Sequence, residues 1–205
     1  MAKSTSPFLI SESIQYGWNR TKERFGFFAL VLIGSMIVTR LPMMLADEGG
    51  AASLILVLIG MVLSFVVGRG IIKISIEEAR GKKSTINVFK ASAEEYLNYF
   101  LVSLVYSLIV MVGFILLIIP GIIWSIKYQY MMYLVIDKKM GVSEAMRTSA
   151  AMTDGVKWEL FALEFVLGII NFLGFLALVV GLLMTVPASA VAQARVYDRL
   201  LAKVK

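Results

Sequence analysis

Four ionisable residues interrupt or end long apolar runs in this chain: Lys127, Asp137, Glu164 and Arg195. A charge at the bilayer centre costs about 2.5–3.5 kcal/mol on insertion scales, so each is a functional candidate by default. What is missing bounds their chemistry. The sequence holds no His and no Cys, which removes the usual general base, the commonest metal ligand and any thiolate nucleophile. No paired-Asp or Ser-Lys constellation stands beside them. The expectation is therefore a non-enzyme with no catalytic set, no metal and no cofactor.

Each candidate has a bland and a sharp reading. Lys127 lies ~9 Å from Pro120-Gly121 along a regular helix. It either snorkels to the near outer surface, toward Asp47 or Glu48, or lines a path. Tyr128 and Tyr133, with Tyr130, Trp124 and Gln129, are amphipathic side chains on the same segment. They serve interhelical hydrogen bonding and interface anchoring, or else line a polar groove or contact headgroups. Asp137 ends that segment, where a carboxylate opposes the helix dipole and calls for a partner; Arg147 is the candidate. Glu164 and Arg195 fall at similar depth, each ~9 Å from the inner interface, on antiparallel segments folded about Gly181. That depth predicts a buried ion pair. The alternative has Arg195 snorkelling to phosphates and Glu164 facing a cytoplasmic pocket.

The elements that carry these residues follow from hydropathy. Of the 205 residues, 59% are apolar and 17% charged, and the mean hydropathy is +0.83. Soluble domains run to about 45–50% apolar and about 25% charged, so a water-soluble globule is excluded. Leu101–Ile136 has Lys127 as its only charge, and Leu160–Ala194 has only Glu164. Each would be over ~50 Å as one helix, too long for a ~30 Å core. The first run breaks at Pro120-Gly121, which fits a type II turn. The second breaks at Gly181, with Pro187 a kink just beyond. Six spans result: 25–45, 51–74, 97–119, 121–138, 158–180 and 182–200. Eighteen of the 20 Lys and Arg lie on one side, with only Arg40 and Lys127 toward the other. Both termini are therefore expected in the cytoplasm, with the chain in the cytoplasmic (inner) membrane. The +6 charge is a topology signal rather than a nucleic-acid footprint, which would need a basic soluble face.

Short amphipathic segments precede each apolar pair. The first starts at Ser6-Pro7 and carries Ile10, Ile14 and Trp18. The second carries Ile86, Phe89, Ala93 and Tyr96, and the third Val142, Ala145, Met146 and Ser149. Such helices lie in the headgroup plane or pack under a bundle. The predicted fold class is thus all-α: a polytopic membrane protein of six transmembrane helices in three hairpins, each after an interfacial helix. Residues 1–205 form one membrane domain, with candidate repeats at 6–80, 84–139 and 140–202. The cytoplasmic charges, Glu77-Glu78 and Arg80-Gly81-Lys82-Lys83 among them, read as a solvated face that attracts anionic headgroups. Twelve Met residues read as packing filler.

From residue 117 the letters become specific. Leu117-Ile118-Ile119-Pro120-Gly121-Ile122-Ile123 is followed by Tyr128, Tyr133, Asp137, Gly141, Glu144-Ala145, Arg147 and Ser149. Met152, Gly155, Lys157-Trp158, Phe161, Gly181, Pro187, Gln193 and Tyr197-Asp198-Arg199-Leu200 complete the pattern. Over residues 117–200 this resembles the uncharacterised bacterial six-helix membrane proteins. That superfamily includes the YciC-like proteins and the membrane domain beside glycerophosphodiester phosphodiesterases. Met132 stands where close relatives often carry Pro. The His pair of the phosphodiesterase barrel is absent, so the resemblance implies a fold and a membrane, with no activity carried over.

Two functional readings follow. One is a non-catalytic envelope module that engages lipids, through anionic headgroups at the cytoplasmic face, or a partner protein or second copy. The other is a small-solute or ion transporter or channel with a path between the hairpins. The charge bias generates a topology test. A Cys introduced at position 49 of this Cys-free chain should react with an impermeant reagent added to intact cells, while positions 82 and 203 stay protected.

Overall fold

Capping and side-chain chemistry decide where the long apolar runs break. The computed structural model describes residues 8–46, 50–177 and 180–204, and among them the chain forms helices α1 (Ile10–Glu23), α2 (Phe25–Leu45), α3 (Ala51–Ala79), α4 (Ala93–Leu116), α5 (Ile118–Tyr128), α6 (Met131–Lys138), α7 (Val142–Met152), α8 (Lys157–Leu176) and α9 (Leu182–Val204), with one 3-10 turn at Ile86–Phe89. Ser6-Pro7, Asp47 and Glu48 lie outside the described residues. Four helices, α2, α3, α4 and α8, are long and apolar enough to cross a membrane. Their apolar side chains are largely outward: Met44 is 81% exposed, Ile115 75% and Leu54 68%. An apolar surface of this extent suits hydrocarbon and not water. The protein is membrane-embedded.

The turn after α4 differs from the Pro-Gly turn expected from sequence. Leu117 is the reversal, in extended conformation with φ −169° and ψ 156°. Pro120 is the third residue of α5, where its missing N–H costs nothing because first-turn donors have no intrahelical acceptor. Gly121 is helical too, and its role is contact. A Cβ on Gly113 of α4 would meet the Gly121 Cα at 2.9 Å, so the two glycines let α4 and α5 touch.

The expected single helix 121–138 is two helices, parted at Gln129-Tyr130. No Pro or Gly marks the break. The hydroxyls of Ser149 and Thr153 donate to the Lys127 carbonyl at 3.0 and 3.2 Å, at the ladder position that Met131 would use. Side chains inserted there are a recognised cause of helix breaks. The second amphipathic segment is also redrawn. Ser92 caps α4, its Oγ accepting from the Glu95 N–H at 3.2 Å, and Glu94 and Glu95 in the first turn complement the dipole. Ala93 and Tyr96 therefore belong to α4, and only Ile86–Phe89 stands apart. Between α8 and α9 the break does fall near Gly181, while Pro187 lies inside α9.

The core sits around α6, the end of α3 and α9. Met131, Leu134, Ile76, Val191 and Leu200 are fully buried there. The α1 helix lies along α9, with Ile10 and Ile14 of the expected stripe half-buried against the core and Trp18 turned outward. Ser13, Gly17 and Thr21 are its buried residues, while Trp18 is 42% exposed. The small stripe allows backbone approach: a Cβ on Gly17 would collide with the Ala188 carbonyl and come within 3.0 Å of the Ala192 N. Gly17→Val should lower the stability of the solubilised protein by at least ~1–3 kcal/mol, read from its thermal melt, because backbone cannot yield as a flexible side chain would. Gly26→Ala, with open space around it, should change little.

Candidate functional site

At the end of α3 a carboxylate has no accessible surface. Glu78 follows Ile74 by one helical turn, which sets it on the buried stripe (0% exposed). Arg20 Nε donates to it at 2.7 Å, Arg24 pairs with its other oxygen, and the Ser84 N–H adds a bond at 2.8 Å. Arg20 Nη2 also reaches the carbonyls of Gly81 and Lys82 at 3.1 and 3.0 Å. Sequence had placed this stretch on a solvated face; Glu78 instead ties α1 to α3 and to the loop after it.

Two residues on, Arg80 gathers two more carboxylates. It binds Asp137 of α6 in bidentate fashion at 2.5 and 2.7 Å, and Asp198 of α9 at 2.7 Å. The Tyr197 hydroxyl donates to Asp137 at 3.1 Å, and Lys138 stands 3.3 Å away. Asp137 thus has the partner its position demanded. That partner is Arg80, not Arg147. Arg147 lies on α7, whose buried positions are Ala145, Ser149 and Met152.

Beside this cluster opens a cleft of about 360 Å³ between α3, the 3-10 turn, α4 and the end of α6. Arg69, Lys73, Lys83, Lys90 and Lys139 face Glu77, Glu95 and Asp137 across it. Glu95 is engaged by Arg69 at 2.7 Å and Lys139 at 3.1 Å. Arg69 also donates to the Val88 carbonyl at 3.1 Å. Lys73, Lys83 and Lys90 carry no ion pair among the described residues. The cleft therefore presents fixed, buried Arg69 and three uncommitted ammonium groups.

A second cavity, about 410 Å³, lies among α4, α5, α6, α8 and α9. Tyr106, Gln129, Tyr130, Tyr133, Glu164 and Gln193 supply polar groups to its wall. Gln193 Nε2 donates to Glu164 at 2.8 Å, and the Tyr133 hydroxyl reaches Gln193 Oε1 at 3.4 Å. The expected Glu164–Arg195 ion pair is absent. Arg195 is two residues from Gln193, about 200° around α9. It faces the other way, donating to the Ala79 carbonyl at 3.1 Å with its guanidinium 4.5 Å from the Tyr16 ring centroid. The two helices bring Gln193, not Arg195, opposite Glu164.

Lys127 is half-buried at the end of α5, 5.2 Å from the Tyr128 ring centroid. The hydroxyl contacts at its carbonyl place it beside the end of α7, away from a distant turn. Asp154, in the turn after α7, has its carboxyl held below the usual range by a 3.1 Å bond from Lys157, with a smaller pull from Lys127. The Tyr133 and Tyr197 rings lie 5.3 Å apart at a 37° tilt, and Tyr130 completes the ring cluster.

Arg20, Arg24, Glu78, Arg80 and Arg69 were not singled out as site residues. The available signal was Glu78's register, four past Ile74. No family model matches the chain, and no solved structure matches it.

The rim cluster yields a paired test. Arg80→Gln leaves Asp137 buried with only Lys138 and Tyr197 as partners. Because Arg80 is partly exposed, it should cost ~1–2 kcal/mol in a denaturation assay, between a surface ion pair and a buried one. Arg147→Gln should fall within ~0.5 kcal/mol of wild type.

Proposed function

We propose that this chain is a non-catalytic inner-membrane module whose cytoplasmic rim engages anionic lipid headgroups. The observation that carries it is the cleft beside α3, where five cations meet three carboxylates and three of the lysines are uncommitted. A phosphate-bearing headgroup would meet a buried Arg that Glu95 and Val88 hold in place, and unpaired ammonium groups at the margin. Lys and Arg near an anionic membrane surface contribute about 1 kcal/mol each.

The reading includes six crossings as three hairpins. The α2–α3, α4–α5 and α8–α9 neighbours support it. With the Gln129-Tyr130 break between them, α5 and α6 span 21 residues, about 30 Å, which is enough for one return crossing. The charged end is cytoplasmic, as are both termini. Lys127, beside the α7–α8 turn, joins the inner set and leaves Arg40 alone outside, which strengthens the charge bias. The resemblance of residues 117–200 to the YciC-like superfamily supports the same reading: its Tyr133, Asp137, Tyr197 and Asp198 meet at this rim. The polar cavity at Glu164 favours a second reading, a small-solute path, which would add solute uptake into proteoliposomes.

Lipid binding tests the proposal. Native mass spectrometry of the purified protein should retain phosphatidylglycerol or cardiolipin in preference to phosphatidylcholine. The combined Lys73→Ala, Lys83→Ala and Lys90→Ala variant should lose about a hundredfold in that affinity, as three lysines at ~1 kcal/mol each imply. Equal retention of anionic and zwitterionic lipid would sink the proposal.

A further inference from the structure

We propose that the cavity at Glu164 is a binding site for a primary ammonium group carried on an apolar tail. It is independent of the rim proposal, using different residues and a different ligand charge.

The first observation is an uncompensated acid. Among the described residues no Lys or Arg pairs with Glu164; its one polar partner is the Gln193 amide, on Oε2. Oε1 is buried without a partner. An ionisable group inside a membrane protein without a counter-charge marks a pathway or ligand site by default.

Two further polar atoms in the same wall are also buried and unpartnered: the Tyr130 hydroxyl, on a residue 1% exposed, and Gln129 Nε2. Natural interiors leave few such groups, and each calls for an explanation. The three residues that carry these atoms line one cavity of about 410 Å³, so a single ligand there could take up all three groups. A ligand ammonium has three donors and no acceptor. With small side-chain rotations it donates to the Glu164 carboxylate and the Tyr130 oxygen, and the Gln129 amide can turn its oxygen inward. The rings of Tyr106, Tyr130 and Tyr133 and of Phe161 line the same space, and aromatic faces attract cations, most strongly when desolvated. An anionic or neutral ligand would leave the carboxylate uncompensated.

The tail follows from the neighbouring groove. A cavity of about 490 Å³ is walled by Ile119, Ile123 and Trp158 and shares Ile122, Ile126 and Phe161 with the first. It is apolar along its length except at Lys157, which Asp154 holds at 3.1 Å. One polar pocket with a carboxylate, opening into one apolar groove between α5 and α8, is complementary to a cationic amphiphile. The amine has two candidate sources, a free alkylamine or the ammonium headgroup of a phospholipid.

The test is calorimetric titration of the full chain in neutral maltoside micelles, with protein-free micelles subtracted. n-Hexylammonium is the probe and 1-hexanol its uncharged counterpart. The expected result is at least tenfold tighter binding of hexylammonium. Glu164→Gln, which keeps an acceptor for Gln193, should abolish that preference, and Tyr130→Phe should weaken hexylammonium binding about threefold to tenfold. Equal binding of the two probes by wild-type protein overturns the proposal and needs no variant to fold. So does a preference that survives Glu164→Gln. Displacement of hexylammonium by added phosphatidylethanolamine assigns the native occupant to a lipid headgroup, and lack of displacement assigns it to a free amine; both uphold the site.

Discussion

A carboxylate with no water around it must be compensated or the fold fails. Glu78 is that group. Its burial would cost several kcal/mol as an isolated ion, and the two guanidinium groups of Arg20 and Arg24 with the Ser84 N–H answer it. The consequence is architectural. Because both arginines come from the α1 end, α1 is anchored to the protein. It must lie where Arg20 and Arg24 reach α3, and the Gly17 contact with Ala188 fixes it on α9 as well. Arg80, half a turn past Glu78, then fastens α3 to α6 and α9 through Asp137 and Asp198. Three helices far apart in sequence are joined at one charged end.

The rest of the molecule depends on that end. The outward halves of α2, α3 and α4 bury little against protein; only 6% of the most apolar α3 window is inside. Lipid tails are as apolar as Leu, so helix association there lacks a hydrophobic driving force and rests on close packing and polar contacts. Gly113 against Gly121 supplies the first kind, and the Ser189–Asn171 bond at 3.4 Å between α9 and α8 the second. Ion pairs at the rim add orientation that neither can provide. The same rim leaves Lys73, Lys83 and Lys90 without an ion pair among the described residues, so structural pairing and the proposed headgroup binding would draw on one pool of charge.

The sequence made some of this legible and hid the rest for identifiable reasons. Apolar run length located the four long membrane helices and the break near Gly181, because hydropathy integrates over many residues. The α5–α6 break was invisible, since its cause is a contact from Ser149 and Thr153, twenty-odd residues later, and not a local Pro or Gly. The Pro120 turn was misplaced by three residues because Pro is equally at home in the first turn of a helix. Asp137 was correctly expected to need a cation, an argument from the local dipole. Its identity was not, since Arg80 comes from another helix.

Glu164 and Arg195 show the general limit most directly. Rise per residue gives height along a helix, and it is height alone that suggested pairing these two charges. Azimuth comes from helix packing, which one sequence does not contain. Gln193 and Arg195 share a helix and a depth, yet one faces the Glu164 cavity and the other the end of α3. Arg195 on the cavity side would have neutralised Glu164 and closed the site as a structural ion pair. Two residues of helical phase therefore separate a staple from a cavity with a free carboxylate, and the chemistry open to this membrane domain turns on that phase.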